Sequence, residues 1–104
     1  MRRKLVVGNW KMNGRIVQNQ ALIQAVVNGV RESRNADYVL CVPYPYLGQA
    51  QSLLKATNVT WGAQNLCANE TVALTGAVSA YMLADYGCSY VIVGHSEQIG
   101  RAHV

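Results

Sequence analysis

The chain has 104 residues, 51% of them apolar in type, which is material for one small core and excludes a disordered protein. Its net charge is +4, but the nine Lys and Arg residues are scattered and form no basic stripe interleaved with aromatics, so no nucleic-acid surface is expected. After Met1-Arg2-Arg3-Lys4 only Leu5-Val6-Val7 follows before polar residues interrupt, short of the about 7–15 apolar residues of a secretory leader; no run reaches the about 18 of a membrane span, so a cytoplasmic protein without membrane contact is expected.

The first apolar run, residues 4–8, reads as a strand, and a helix is predicted over 16–33. Leu22, Ile23, Val26, Val27 and Val30 recur there at helical spacing, leaving Gln18, Gln24 and Arg31 for solvent. A second strand is predicted over 38–42. Pro43-Tyr44-Pro45 then suits a turn and the first residue of a helix whose inner stripe is Leu47, Ala50 and Leu54. Residues 59–62 form a third strand. The stretch 64–78 has neither period, and a loop of that length in a small domain is usually functional or mobile. Ser79 is a good N-cap for a third helix, with Met82, Leu83 and Tyr86 predicted inside and Gly87 just past its end. Residues 90–93 close the series as a fourth strand.

This β-α-β-α-β-α-β order predicts an α/β fold, a four-stranded parallel sheet with three crossover helices. The near-continuous apolar runs predict strands covered on both faces. Cys41, Cys67 and Cys88 are odd in number and widely spaced, so they are read as reduced thiols, with Cys41 a small apolar residue inside a strand. Asn58-Val59-Thr60 and Asn69-Glu70-Thr71 match the glycosylation pattern, but in a chain without a leader they are expected to be chance matches.

Polar groups of catalytic type follow two of the strands. Gly8 leads into Asn9-Trp10-Lys11-Met12-Asn13, and Tyr90-Val91-Ile92-Val93 leads into Gly94-His95-Ser96-Glu97. In parallel α/β proteins sites gather at such strand ends. With the backbone extended, Asn9 and Lys11 point to the same side, and the ammonium suits an anionic, phosphate-like substrate. His95 stands where a short helix can open, and the positive end of a helix disfavours imidazolium. A neutral imidazole there can donate a hydrogen bond to a substrate carbonyl. Glu97 is open to two readings, a general base or the counter-ion that fixes Lys11. The second is favoured, because a neighbouring ammonium holds a carboxylate ionised and weakly basic.

Gly8-Asn9-Trp10-Lys11-Met12-Asn13, Gly62-Ala63-Gln64-Asn65, the stretch from Thr75-Gly76 through Met82-Leu83, and Val93-Gly94-His95-Ser96-Glu97 resemble, in order and spacing, the successive motifs of the triosephosphate isomerase family. The resemblance runs from Lys4 to Glu97. It implies an eight-stranded (β/α) TIM barrel, a glycolytic and gluconeogenic isomerase that interconverts dihydroxyacetone phosphate and glyceraldehyde 3-phosphate, a homodimer, and neither metal nor organic cofactor. Carried over by position, Asn9 and Lys11 contact the triose phosphate, Lys11 neutralising phosphate and polarising the enediolate. His95 is then the electrophile on the carbonyl, Glu97 orients the lysine, and Thr75 at the tip of the long loop contacts the neighbouring subunit.

Two departures accompany the resemblance. Residues 98–104 show no family pattern and are set apart as an atypical tail, leaving 1–97 as the N-terminal half of a TIM-barrel domain. A barrel of this type takes about 250 residues, so the chain is expected to supply roughly the first four βα units, without the carboxylate base that abstracts the proton. These residues alone are therefore expected to be inactive, marginally stable and prone to associate through the bare edges of strands one and four. The alternatives from other classes are a stand-alone phosphate-binding half-barrel and an interaction module that docks through residues 64–78.

Overall fold

A computed structural model describes residues 4–33, 35–66 and 76–92. Four strands, β1 (Lys4–Asn9), β2 (Ala36–Val42), β3 (Val59–Ala63) and β4 (Tyr90–Val91), alternate with helices α1 (Ile16–Val30), α2 (Leu47–Leu54) and α3 (Ala80–Asp85), with a 3-10 turn, Tyr44–Tyr46, leading into α2. All neighbouring strands are parallel and the sheet order is the chain order, β1-β2-β3-β4. Among the described residues no helix is long and apolar enough to cross a membrane.

The core lies where the helices cover the two central strands. Val42, Leu54, Val59, Ala50 and Ala63 are at most 1% exposed, and Ile23 and Val27 of α1, Leu47 of α2 and Leu83 of α3 close over them. The predicted stripe of α2 is therefore the observed one. In α1 the buried residues are Ile23, Val27 and Asn19, whereas Leu22 is 48% exposed and faces away from the core. That helix ends at Val30 rather than at Ser33. The last turn tightens through the Ser33 N–H to Val30 O bond of 3.0 Å, and the Asn58 side-chain amide donates to the same carbonyl at 2.7 Å. The amide nitrogen of the first glycosylation-type asparagine is thus engaged in closing a helix.

Ser79 caps α3 as predicted, its hydroxyl accepting from the Met82 N–H at 3.3 Å, and Gly87 stands past the end with φ 73°. Of the three side chains expected inside, only Leu83 is buried; Met82 is 53% and Tyr86 47% exposed. The reason is geometric. The six-residue α3 presents one side chain to the sheet, while Met82 and Tyr86 flank an open cleft with Tyr44, Leu47 and Val78. The C-terminal end of α3 is tied to β3 instead by the Trp61 indole N–H, which donates to the Tyr86 carbonyl at 2.6 Å.

Burial on both faces holds for β2 but not for β1, where Leu5, Val6 and Val7 are 49, 48 and 45% exposed. An edge strand has a neighbour on one side only, and β1 is hydrogen-bonded to β2 alone within the described sheet.

Candidate active site

Because the strands all run one way, their carboxyl ends share one edge of the sheet, and the first polar residues beyond them become neighbours whatever their separation in sequence. Asn9 ends β1 level with Cys41 of β2, Cys41 is level with Gly62 of β3, and Gly62 with Tyr90 of β4. Lys11 follows two residues beyond Asn9 and is exposed.

The backbone between this pair is not extended. Lys11 has φ 55°, in the left-handed region, where a residue with a Cβ is disfavoured by about 1–2 kcal/mol. The Asn9 carboxamide supplies the compensation, its Oδ1 accepting the Lys11 N–H at 3.0 Å. This is an asparagine-led turn, one for which the residue type is well suited. On the far side of Lys11, Asn13 Nδ2 donates to the Trp10 carbonyl at 2.8 Å, and the Trp10 N–H donates to the Cys41 carbonyl at 3.0 Å. The lysine therefore projects from a turn whose base is fastened to β2.

Gln64 is the residue that the strand-end reasoning missed. It lies immediately beyond β3, and its Nε2 donates to Asn9 Oδ1 at 3.1 Å and to the Cys41 carbonyl at 3.2 Å. One amide group thus crosses β2 to hold the side chain of Asn9. Its position just beyond the apolar run 59–62, at a strand end like that of Asn9, was the available signal. On the adjoining loop, the Tyr44 hydroxyl donates to the Asn65 carbonyl.

Directly beneath these contacts Cys41 is 1% exposed, a small apolar residue within β2. Burial, with a smaller contribution from nearby Cys88, pushes its thiol from 9.0 up to about 11. Burial also raises Cys88. A raised value means that the folded chain keeps a proton that the unfolded chain releases, so this stabilisation is whole below pH 9 and is lost as pH rises to about 11. Urea unfolding across that window should show stability falling by up to about 1.4 kcal/mol per pH unit from this group. In Cys41→Ala that part of the slope should vanish; an unchanged slope would show that other groups produce it.

The structure brings Asn9 and Lys11 together. His95, Glu97 and Thr75 lie outside the described residues. The chain leading to the first two is placed, however: Val91 is level with Ala63, and the Ile92 N–H donates to the Ala63 carbonyl at 3.0 Å, so β4 runs toward the edge that carries Asn9. The described carboxylates stand elsewhere. Asp37 is level with Leu5 near the amino ends of the strands, Glu32 follows α1, and Asp85 ends α3.

The sequence matches the family described as triosephosphate isomerase over residues 4–103. It is 58% identical over 97 residues to the triosephosphate isomerase of Nitrosomonas eutropha, covering 93% of this chain and 38% of that protein. Over 98 residues it is 50% identical to the enzyme of the same name from Dechloromonas aromatica, covering 94% and 39% respectively. The crystal structure of triosephosphate isomerase from Bartonella henselae superposes with a TM-score of 0.84 at 37% identity, over 93% of this chain and 40% of that one. The curled four-stranded sheet corresponds to the N-terminal part of that TIM barrel. The chain thus spans about two fifths of the length of the relatives it matches.

Proposed function

Since this chain belongs to the triosephosphate isomerase family, we propose that it carries the substrate-holding and electrophilic half of an active site that interconverts dihydroxyacetone phosphate and glyceraldehyde 3-phosphate. The observation that carries this reading is the Asn9–Lys11 turn, which holds an exposed ammonium at the carboxyl edge of the sheet at a cost in backbone strain. Strain of this kind persists where surrounding contacts fix it, and it gathers at sites that use the geometry. The ammonium neutralises the substrate phosphate and draws charge onto the oxygen of the enediolate. His95 donates to the carbonyl oxygens as a neutral imidazole, Glu97 orients Lys11, and Thr75 contacts a second subunit of a cytoplasmic homodimer. The reaction is a proton transfer and asks for no cofactor.

Proton abstraction beside a carbonyl needs a base within hydrogen-bond reach of the carbon acid. Of the five carboxylates in the sequence, Glu32, Asp37 and Asp85 lie away from the carboxyl edge, Glu97 serves Lys11, and Glu70 belongs to none of the motifs that carry the family resemblance, so none of them is assigned the role of base. The 104 residues by themselves are accordingly inactive. A coupled assay on the purified chain should give no turnover above background. A chimaera in which residues 4–97 replace the matching segment of the Nitrosomonas eutropha enzyme should be active. In that chimaera Lys11→Ala should lower kcat/KM by at least about 100-fold. Turnover by the isolated chain would overturn the inactivity; full activity of the Lys11→Ala chimaera would overturn the role of the lysine.

A further inference from the structure

The buried polar residue Asn19 sits in α1, 1% exposed, with both ends of its amide engaged. Its Oδ1 accepts the Arg15 N–H at 3.0 Å, and its Nδ2 donates to Gln49 Oε1 at 2.9 Å. Gln49 in turn donates through Nε2 to the Ile16 carbonyl at 2.7 Å, and the Tyr46 hydroxyl donates to the Gly14 carbonyl at 2.8 Å. Arg15 is the N-cap of α1 and its side chain makes no capping bond. The backbone N–H of the cap is instead received by a side chain one turn into the helix, a variant of the reciprocal capping arrangement. Gly14 fits because a Cβ there would lie 2.8 Å from Asn19 Oδ1 and 2.9 Å from the Tyr46 ring.

These bonds fasten residues 14–16 to the start of α2, while Trp10 is fastened to β2. Lys11, with its left-handed φ, lies in the short span between the two anchors. We propose that Asn19, Gln49 and Tyr46 are positioning residues for Lys11: a latch that fixes the far end of the turn, holds the lysine backbone left-handed and thereby sets where its ammonium stands. The inference rests on the reading of Lys11 as the anion contact only for its functional meaning; the conformational claim stands by itself.

The test uses the isotope-labelled 104-residue chain and two variants, Asn19→Leu and Gln49→Met. A strong intraresidue Hα–HN NOE at Lys11 reports its positive φ, and titration with inorganic phosphate reports anion binding. The parent should show that NOE. Each variant that keeps the β1–β3 amide pattern should lose it and bind phosphate about fivefold more weakly, the change expected from losing roughly one net hydrogen bond. Retention of the NOE in a folded variant, its absence from the parent, or unchanged phosphate affinity in a variant that has lost it overturns the latch. Should Asn19→Leu fail to fold, the half-buried Gln49→Met decides. A parent that shows the NOE but binds no phosphate condemns the anion-contact reading, and the NOE of the variants still decides the latch.

Discussion

Gly62→Ala is expected to detach β4 from the sheet. A Cβ at this position would overlap the carbonyl oxygen of Tyr90 and lie 2.8 Å from its carbon. Both are backbone atoms, so no change of rotamer relieves the clash, and a glycine within a strand often marks such a close approach. The strands must part, and β4 is only Tyr90–Val91, held to β3 and its flanks by bonds that include Ser89 N–H to the Trp61 carbonyl and Ile92 N–H to the Ala63 carbonyl. Overpacking together with the lost pairing should cost about 3 kcal/mol. In a domain of this size that lowers Tm by about 12–24 °C. Hydrogen exchange offers the direct check: the Ser89 and Ile92 amides should lose protection while β1 and β2 keep theirs, and native-like protection at both would contradict the expectation.

Gln64→Glu should be the most pH-sensitive substitution at the site. The glutamine amide faces two acceptors, Asn9 Oδ1 and the Cys41 carbonyl, at 3.1 and 3.2 Å. A carboxylate there gives neither a donor and adds a charge, so at pH 7 the variant should lose about 2–3 kcal/mol. Protonation restores one donor. The folded state therefore raises the glutamate pKa above the unfolded value of about 4.3, so stability should be greatest below that pH and fall as pH rises through the raised value. Thermal unfolding from pH 4 to pH 7 measures this against the parent, and a variant whose deficit is constant over that range would show that the donor is not what matters. Asn9 loses its anchor in the same experiment.

Much of the fold could be read from the sequence because its signals are local. β-Branched apolar runs and the stripe Leu47-Ala50-Leu54 each specify an element from a few adjacent residues, and the cap at Ser79 is a matter of one hydroxyl and one N–H. Asn9 and Lys11 were legible for the same reason, as polar residues at a strand end. Burial on α3 was not, because Met82 and Tyr86 have the spacing of inner residues but depend on what stands opposite, and opposite them is a cleft. Nor was the turn at Lys11 legible: asparagine two residues ahead is compatible with an extended strand, and the left-handed form depends on bonds from residues distant in sequence, among them Gln64 on Asn9 and the Cys41 carbonyl on the Trp10 backbone. Asn19 illustrates the same limit. A polar residue in the first turns of an amphipathic helix reads as solvated until Gln49, thirty residues away, is known to meet it.

Gln64 and Asn9 are 55 residues apart, and their bond passes over an intervening strand. It can form only if β1 has found its register on β2 and β3 has found its own on β2, since a slip of either moves one partner along the sheet or turns it to the other face. The amide contact therefore behaves as a logical conjunction of two independent pairings. A misregistered chain can bury comparable apolar area, yet it cannot anchor the Asn9 side chain from which Lys11 turns, so correctness of the scaffold is checked at the place where it is used.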